Sequence, residues 1–134
     1  MLPRLLLDTH IAIRWVSESK KLSRQQAHAL DEAVRRAEPV AVCAVSLLEM
    51  GVLTGQGRLR LKISLDQVFE ELQANPLLRV LPLTYEIAAE VASMGTTLRD
   101  PADRAIVATA RVHRLRLVTS DQRIIESKLV SVIY

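Results

Sequence analysis

The chain has 134 residues, 49% of them hydrophobic and 25% charged, with a net charge of +3. That length suits one domain with a proper buried core, and the composition excludes a disordered or low-complexity chain. No uncharged apolar run approaches the roughly 20 residues that a membrane span needs, and the lone Cys43 excludes an internal disulfide.

The start, Met1-Leu2-Pro3-Arg4, is too soon charged for a signal peptide, so a cytoplasmic protein is expected. Arg4 to Asp8 reads as a short buried strand, followed by a helix through Ile11 and Trp15. Ser23-Arg24-Gln25-Gln26 matches a capping box and opens an amphipathic helix through Leu30 and Val34. Pro39 stops it, and Val40 to Ala44 is a second buried strand. Ser46-Leu47-Leu48-Glu49 predicts another capping box, with a helix that fades at Gly55 and Gly57. Ser64-Leu65-Asp66-Gln67 begins a helix that Asn75-Pro76 ends. Leu78 to Leu83 is a third strand, interrupted by Pro82, and Thr84 caps a helix containing Ile87 and Val91. Asp100-Pro101 predicts an N-cap with proline at the first helical position of a helix running to about His113. Leu115 to Thr119 is a fourth strand, a short helix surrounds Ile124, and Val130 to Ile133 is the last strand. Continuous apolar strands between helices predict an α/β fold, a parallel sheet covered on both faces. One domain over residues 1–134 is expected, since no linker or repeat interrupts the order.

Four acids stand where a carboxylate is unfavourable. Asp8 ends Leu5-Leu6-Leu7, Glu49 lies within Val45 to Met50, Asp103 opens Ala105 to Ala108, and Asp121 follows Leu117 to Ser120. In parallel α/β folds the ligand site lies beyond the carboxyl ends of the strands, so all four can meet at one sheet edge. Carboxylates repel one another and resist leaving water, so such a cluster needs cations. An all-oxygen site suits a hard divalent ion such as Mg²⁺, which makes the chain a candidate metal-dependent phosphodiesterase.

Each acid also has a plain structural reading. Glu49 can complete the capping box with Ser46, Asp103 can favour a helix N-terminus, and Asp8 and Asp121 can be caps. Against this, Glu49 shares a face with Val45, Val52 and Leu53, and Asp103 with Ile106, Val107 and Ala110, so both are expected to point inward. Thr9 and Ser46 read as caps, or as hydroxyls that hold a water or a phosphate oxygen beside the acids. Asp100 is better explained as the cap before Pro101, with a supporting role beside the metal ligands as the lesser reading. His10, His28 and His113 lack metal-ligand spacing, and no phosphate-binding glycine loop is present.

The segments Leu5-Leu6-Leu7-Asp8-Thr9-His10, Ser46-Leu47-Leu48-Glu49-Met50, Asp100 to Ala108 and Leu117-Val118-Thr119-Ser120-Asp121 together resemble the PIN-domain family. More narrowly, the chain is similar to the VapC-type toxins of toxin–antitoxin pairs. The resemblance implies a single PIN-like domain with strand order 3-2-1-4-5 and an endoribonuclease dependent on Mg²⁺ or Mn²⁺. It also implies a homodimer and neutralisation by a small antitoxin. Asp8, Glu49 and Asp103 match the family's core acids, and Asp121 its more variable fourth; Ser46 stands where the family often carries Ser or Thr. Asp8 and Asp103 would bind the cation chiefly, with Glu49 and Asp121 completing the site. Arg104 is expected to contact phosphate or form a solvated salt bridge, and Arg58, Arg60, Lys62 and Arg111 to guide RNA. The alternative is a non-catalytic PIN-like module that binds RNA or protein. A phosphotransfer receiver domain ranks lower, because Asp8 is followed by Thr9-His10 rather than by a second acid and no acceptor Asp follows the third strand.

Overall fold

The computed structural model describes residues Met1–Tyr134. Five strands alternate with helices: β1 (Leu5–Leu7), α1 (Thr9–Ser17), α2 (Arg24–Arg35), β2 (Val40–Cys43), α3 (Ala44–Gly55), α4 (Leu65–Ala74), β3 (Leu78–Leu81), α5 (Tyr85–Ser93), α6 (Pro101–His113), β4 (Arg116–Val118), α7 (Gln122–Ser127) and β5 (Val132–Ile133). All pair in parallel, in the order β3-β2-β1-β4-β5 that the resemblance implies. A 3₁₀ turn at Ser19–Lys21, which no sequence signal marks, joins α1 to α2.

The strands are apolar on both sides because each side feeds a separate core. Leu6, Ala41, Cys43 and Leu117 pack with Ile87, Ile106 and Ile124 of α5, α6 and α7. Their neighbours Leu7, Val40, Val42 and Val118 pack with Ile11, Leu30, Met50, Val68 and Leu72 of α1 to α4. Leaving no polar side to a strand is what a sheet covered twice demands. The edge strand β3 departs from the expectation: Arg79 and Val80 are exposed, and the strand ends at Leu81 because Pro82 offers no N–H to continue the ladder.

Two of the expected capping boxes form, at Ser23/Gln26 and Ser64/Gln67. The third does not. Helix α3 begins at Ala44, directly out of β2, with Cys43 as an N-cap that makes no side-chain bond. This puts Ser46 inside the first turn and Glu49 in the second, so neither caps the helix. The buried face of α3 is Ser46 and Met50, whereas Val52, expected to be inward, is 46% exposed. The C-terminus closes as a Schellman motif: Gly57, at φ +68, donates to the Thr54 carbonyl and Arg58 to that of Leu53. No helix is long and apolar enough to cross a membrane.

Candidate active site

In this strand order the chain moves one way from β1 and the other way from β4, which opens a crevice at their carboxyl ends. Asp8 leaves β1 and is the N-cap of α1. It is only 7% exposed. The Thr9 amide donates to its Oδ1 at 2.8 Å and the Thr119 hydroxyl to its Oδ2 at 2.6 Å. Burial nevertheless wins: it pushes the Asp8 carboxyl above its ordinary range, despite those two bonds and the nearby His10.

The α5–α6 loop brings the next two acids. Asp100 caps α6 by accepting the Asp103 amide at 3.0 Å, and Pro101 follows at the first helical position, as the sequence predicts. Asp103 is half-buried in that first turn. Burial first, then the charges of Asp100, Asp8, Asp121 and Glu49, push its carboxyl from 3.8 up to about 7. One carboxylate oxygen each from Glu49, Asp100 and Asp103 lies within 4.8 Å of the others. Asp121 caps α7 through the Arg123 amide at 2.9 Å, and Arg123 Nε stands 3.6 Å from it.

These five carboxylates line one cleft of about 470 Å³, together with His10, Arg14, Arg58 and Arg123. The four acids singled out in the sequence therefore meet at one edge. The tightest group differs from the expectation, however, because Asp100 joins Glu49 and Asp103 while Asp8 is drawn back onto Thr9 and Thr119. Asp100 reads in the sequence chiefly as a cap, with a supporting role at the site as the lesser reading; its i,i+3 spacing to Asp103 is the available signal that both crowd one helix end.

Three expected roles change. Thr9 and Ser46 are both fully buried, with the Thr9 hydroxyl donating to Ser46 Oγ at 3.0 Å, so they tie α1 to α3 and their hydroxyls do not line the cleft. Arg104 forms no salt bridge and does not line the cleft. Its guanidinium donates to the carbonyls of Val91, Gly95 and Leu98 at 2.8, 2.7 and 2.6 Å, tying α6 to the last turn of α5 and the loop after it. Arg111 is likewise held, by Glu90 and the Leu129 carbonyl. Arg14 and Arg123, which the sequence did not mark, stand in the cleft instead.

The donor set fits a hard divalent cation, since every candidate ligand is an oxygen and no lysine or arginine makes an ion pair with Glu49, Asp100 or Asp103. A carboxyl whose folded pKa is raised favours the folded state fully while protonated, below its ordinary value of 3.8, and that advantage disappears as pH rises through about 7. Asp8 adds in the same direction. Glu18 and Glu32, held low by hydrogen bonds from Lys21 and Arg35, act below this window. With chelator present, the melting temperature should fall as pH is raised from about 4.5 to about 7.5. Excess Mn²⁺ should reverse the fall, because the cation takes the place of the proton. A flat profile in scanning fluorimetry would contradict the electrostatic account of the cleft.

Comparison with known proteins identifies the family and the fold. The PIN domain family matches residues 5–128. The chain is 36% identical over 121 residues to ribonuclease VapC22 of Mycobacterium tuberculosis, covering 90% of this chain and 88% of that protein. Among solved structures, FitAcB from Neisseria gonorrhoeae superposes with a TM-score of 0.69 at 24% identity, covering 97% of this chain and 96% of the other. VapBC2 from Rickettsia felis, bound to a promoter DNA fragment, gives a TM-score of 0.69 at 13% identity and 96% coverage of each chain. At those identities the two structures establish a shared fold, while the match over residues 5–128 and the 36% identity establish descent: the chain belongs to the PIN domain family.

Proposed function

We propose that this protein is a divalent-cation-dependent endoribonuclease, the cytoplasmic toxin of a type II toxin–antitoxin pair. The observation that carries the reading is the convergence of Asp8, Glu49, Asp100, Asp103 and Asp121 on one cleft at the β1/β4 crevice. The match to a VapC ribonuclease supports RNA as substrate, and the fold shared with VapBC2 supports an antitoxin partner.

Glu49, Asp100 and Asp103 would hold Mg²⁺ or Mn²⁺, with Asp8 beside them and Asp121 at the rim. When bound, the ion supplies charge neutralisation at phosphate and makes water more acidic. Asp103 would have to give up its proton to hold the ion, and Thr9 and Thr119 orient Asp8 beside it. Arg14, Arg58 and Arg123 offer the cleft its positive charge, suited to the phosphates on either side of the scissile one.

Asp8→Asn should lower cleavage of a structured RNA by more than about a hundredfold, since even outer partners of a metal site cost about tenfold to a hundredfold. Folding should survive, because the change removes one charge from a repelling cluster. Mn²⁺ should raise the melting temperature of the parent by mass action, and the shift should vanish in an Asp8→Asn, Asp103→Asn double variant. Equal activity in Asp8→Asn, or a shift that persists in the double variant, would remove the assignment.

Arg14→Ala and Arg58→Ala should raise KM for RNA several-fold with kcat nearly unchanged. The slope of log affinity against log salt should become shallower by about 0.7 for each single-strand phosphate that the variant no longer neutralises. Unchanged salt slopes in both variants would show that the arginines do not meet the backbone.

The partners follow from exposed apolar surface. Val80 on β3, 48% exposed, lines a shallow cleft with Leu47, Phe69, Leu72 and Leu78, and Leu48, which follows Leu47 on α3, is 66% exposed. A two-fold dimer would use this side. Helix α6, by contrast, exposes no large apolar residue. Half-buried Trp15 lines a separate groove with Val16 and Val34, suited to an antitoxin helix. Light scattering should show a dimer at micromolar concentration that Leu48→Glu dissociates, and Trp15→Ser should weaken antitoxin binding in calorimetry without altering the dimer. A monomeric parent, or unaltered antitoxin affinity, would refute the respective surface.

A further inference from the structure

The chain uses the same Ser-x-x-Gln capping box twice, and the two glutamines are placed differently. In each, the glutamine side-chain oxygen accepts from the cap amide, at 2.9 Å for Gln26 with Ser23 and 2.8 Å for Gln67 with Ser64. Gln67 is exposed, and its amide nitrogen donates to no protein group. Gln26 is fully buried, and its amide nitrogen reaches across the fold to the turn after β4, donating to the Thr119 carbonyl at 3.3 Å and to Ser120 Oγ at 2.9 Å. Both donors and one acceptor position of the carboxamide are thereby used. A cap alone requires neither the burial nor the long-range bonds.

The turn it grips is the one that sets two of the acids. The Thr119 hydroxyl accepts from the Asp121 amide at 3.0 Å and donates to Asp8 Oδ2 at 2.6 Å. Accepting from one side commits the hydroxyl proton to the other, so the orientation of Asp8 depends on where residues 119 to 121 lie. That turn is otherwise fixed from behind by the bond from the Thr119 amide to the Ile133 carbonyl. Gln26 supplies the grip from the α2 side. It does not line the cleft, and it carries no charge that would alter the balance there.

We propose that Gln26 is a positioning residue of the carboxylate cleft, clamping the turn of residues 119–121 so that Thr119 can orient Asp8 and Asp121 can cap α7 at the rim. The proposal rests on the reading of the cleft as a cation site, and it acts through position alone.

The experiment compares the full-length parent with Gln26→Leu and Gln26→Met, using Gln67→Leu as a control that loses the same kind of cap without the clamp. Mn²⁺ alone is titrated by calorimetry at a temperature where each variant is folded. Hydrogen exchange at the Asp121 amide is followed in chelator, and kcat and KM are measured on RNA. Gln26→Leu should weaken Mn²⁺ binding about tenfold to a hundredfold, speed exchange at Asp121, and lower kcat more than it raises KM. Gln67→Leu should leave all three at parent values. If Gln26→Leu does not fold, Gln26→Met, which keeps the length and volume of the side chain but has neither donors nor charge, gives the same readings. Parent-like Mn²⁺ affinity and Asp121 exchange in the folded Gln26 variants, with only the melting temperature lowered, would overturn the proposal and leave Gln26 a cap. A parent that binds no Mn²⁺ would instead overturn the cation reading, and exchange at Asp121 would still decide whether Gln26 holds the turn.

Discussion

Repulsion among carboxylates is the constraint around which the carboxyl edge of this sheet is built. Five acids share one cleft, three of them with oxygens within 4.8 Å of one another. The fold offsets part of the cost without a cation. Asp8, Asp100 and Asp121 are each the N-cap of a helix, where unpaired amides and the helix dipole favour negative charge. What remains is visible in Asp103, whose carboxyl stays protonated to about pH 7. On the proposed reading, a site that resists its own charge in this way would exchange protons for a hard cation.

Holding such a site together takes buried polar contacts that an apolar core would not otherwise include. Thr9, Gln26, Ser46 and Thr119 are all fully buried, and every one hydrogen-bonds another segment of the chain. They lie behind the acids, at the meeting of α1, α2, α3 and the turn after β4. Their satisfaction is what makes the burial tolerable. Basic groups are divided between two tasks: Arg104 and Arg111 are held by carbonyls and Glu90, while Arg14, Arg58 and Arg123 are left facing the cleft.

Parallel pairing explains why these pieces can meet at all. Strands of three or four residues cannot carry a site individually, yet each delivers its helix N-terminus to the same edge. The winding, which proceeds from β1 toward β3 on one side and from β4 toward β5 on the other, then leaves a crevice between Asp8 and the turn that ends in Asp121.

The sequence by itself determined the elements and the four acids. Apolar runs such as Val40 to Cys43, cap-plus-proline at Asp100-Pro101 and the Ser-x-x-Gln boxes are local signals, and local chemistry suffices to read them. The sheet order was legible only through resemblance, because nothing local distinguishes β2 from β4 as a neighbour of β1. Tertiary structure alone decided the rest. Ser46 looked like a cap and is a buried link to Thr9, because α3 turns directly out of β2 with Cys43 at its cap position. Arg104 looked free to meet phosphate and is committed to three carbonyls that only the packing of α5 against α6 brings within reach. Gln26 and Gln67 stand in the same motif; one reaches the site across 93 residues of chain and the other meets solvent, a difference set by which helix N-terminus the fold places behind the turn after β4.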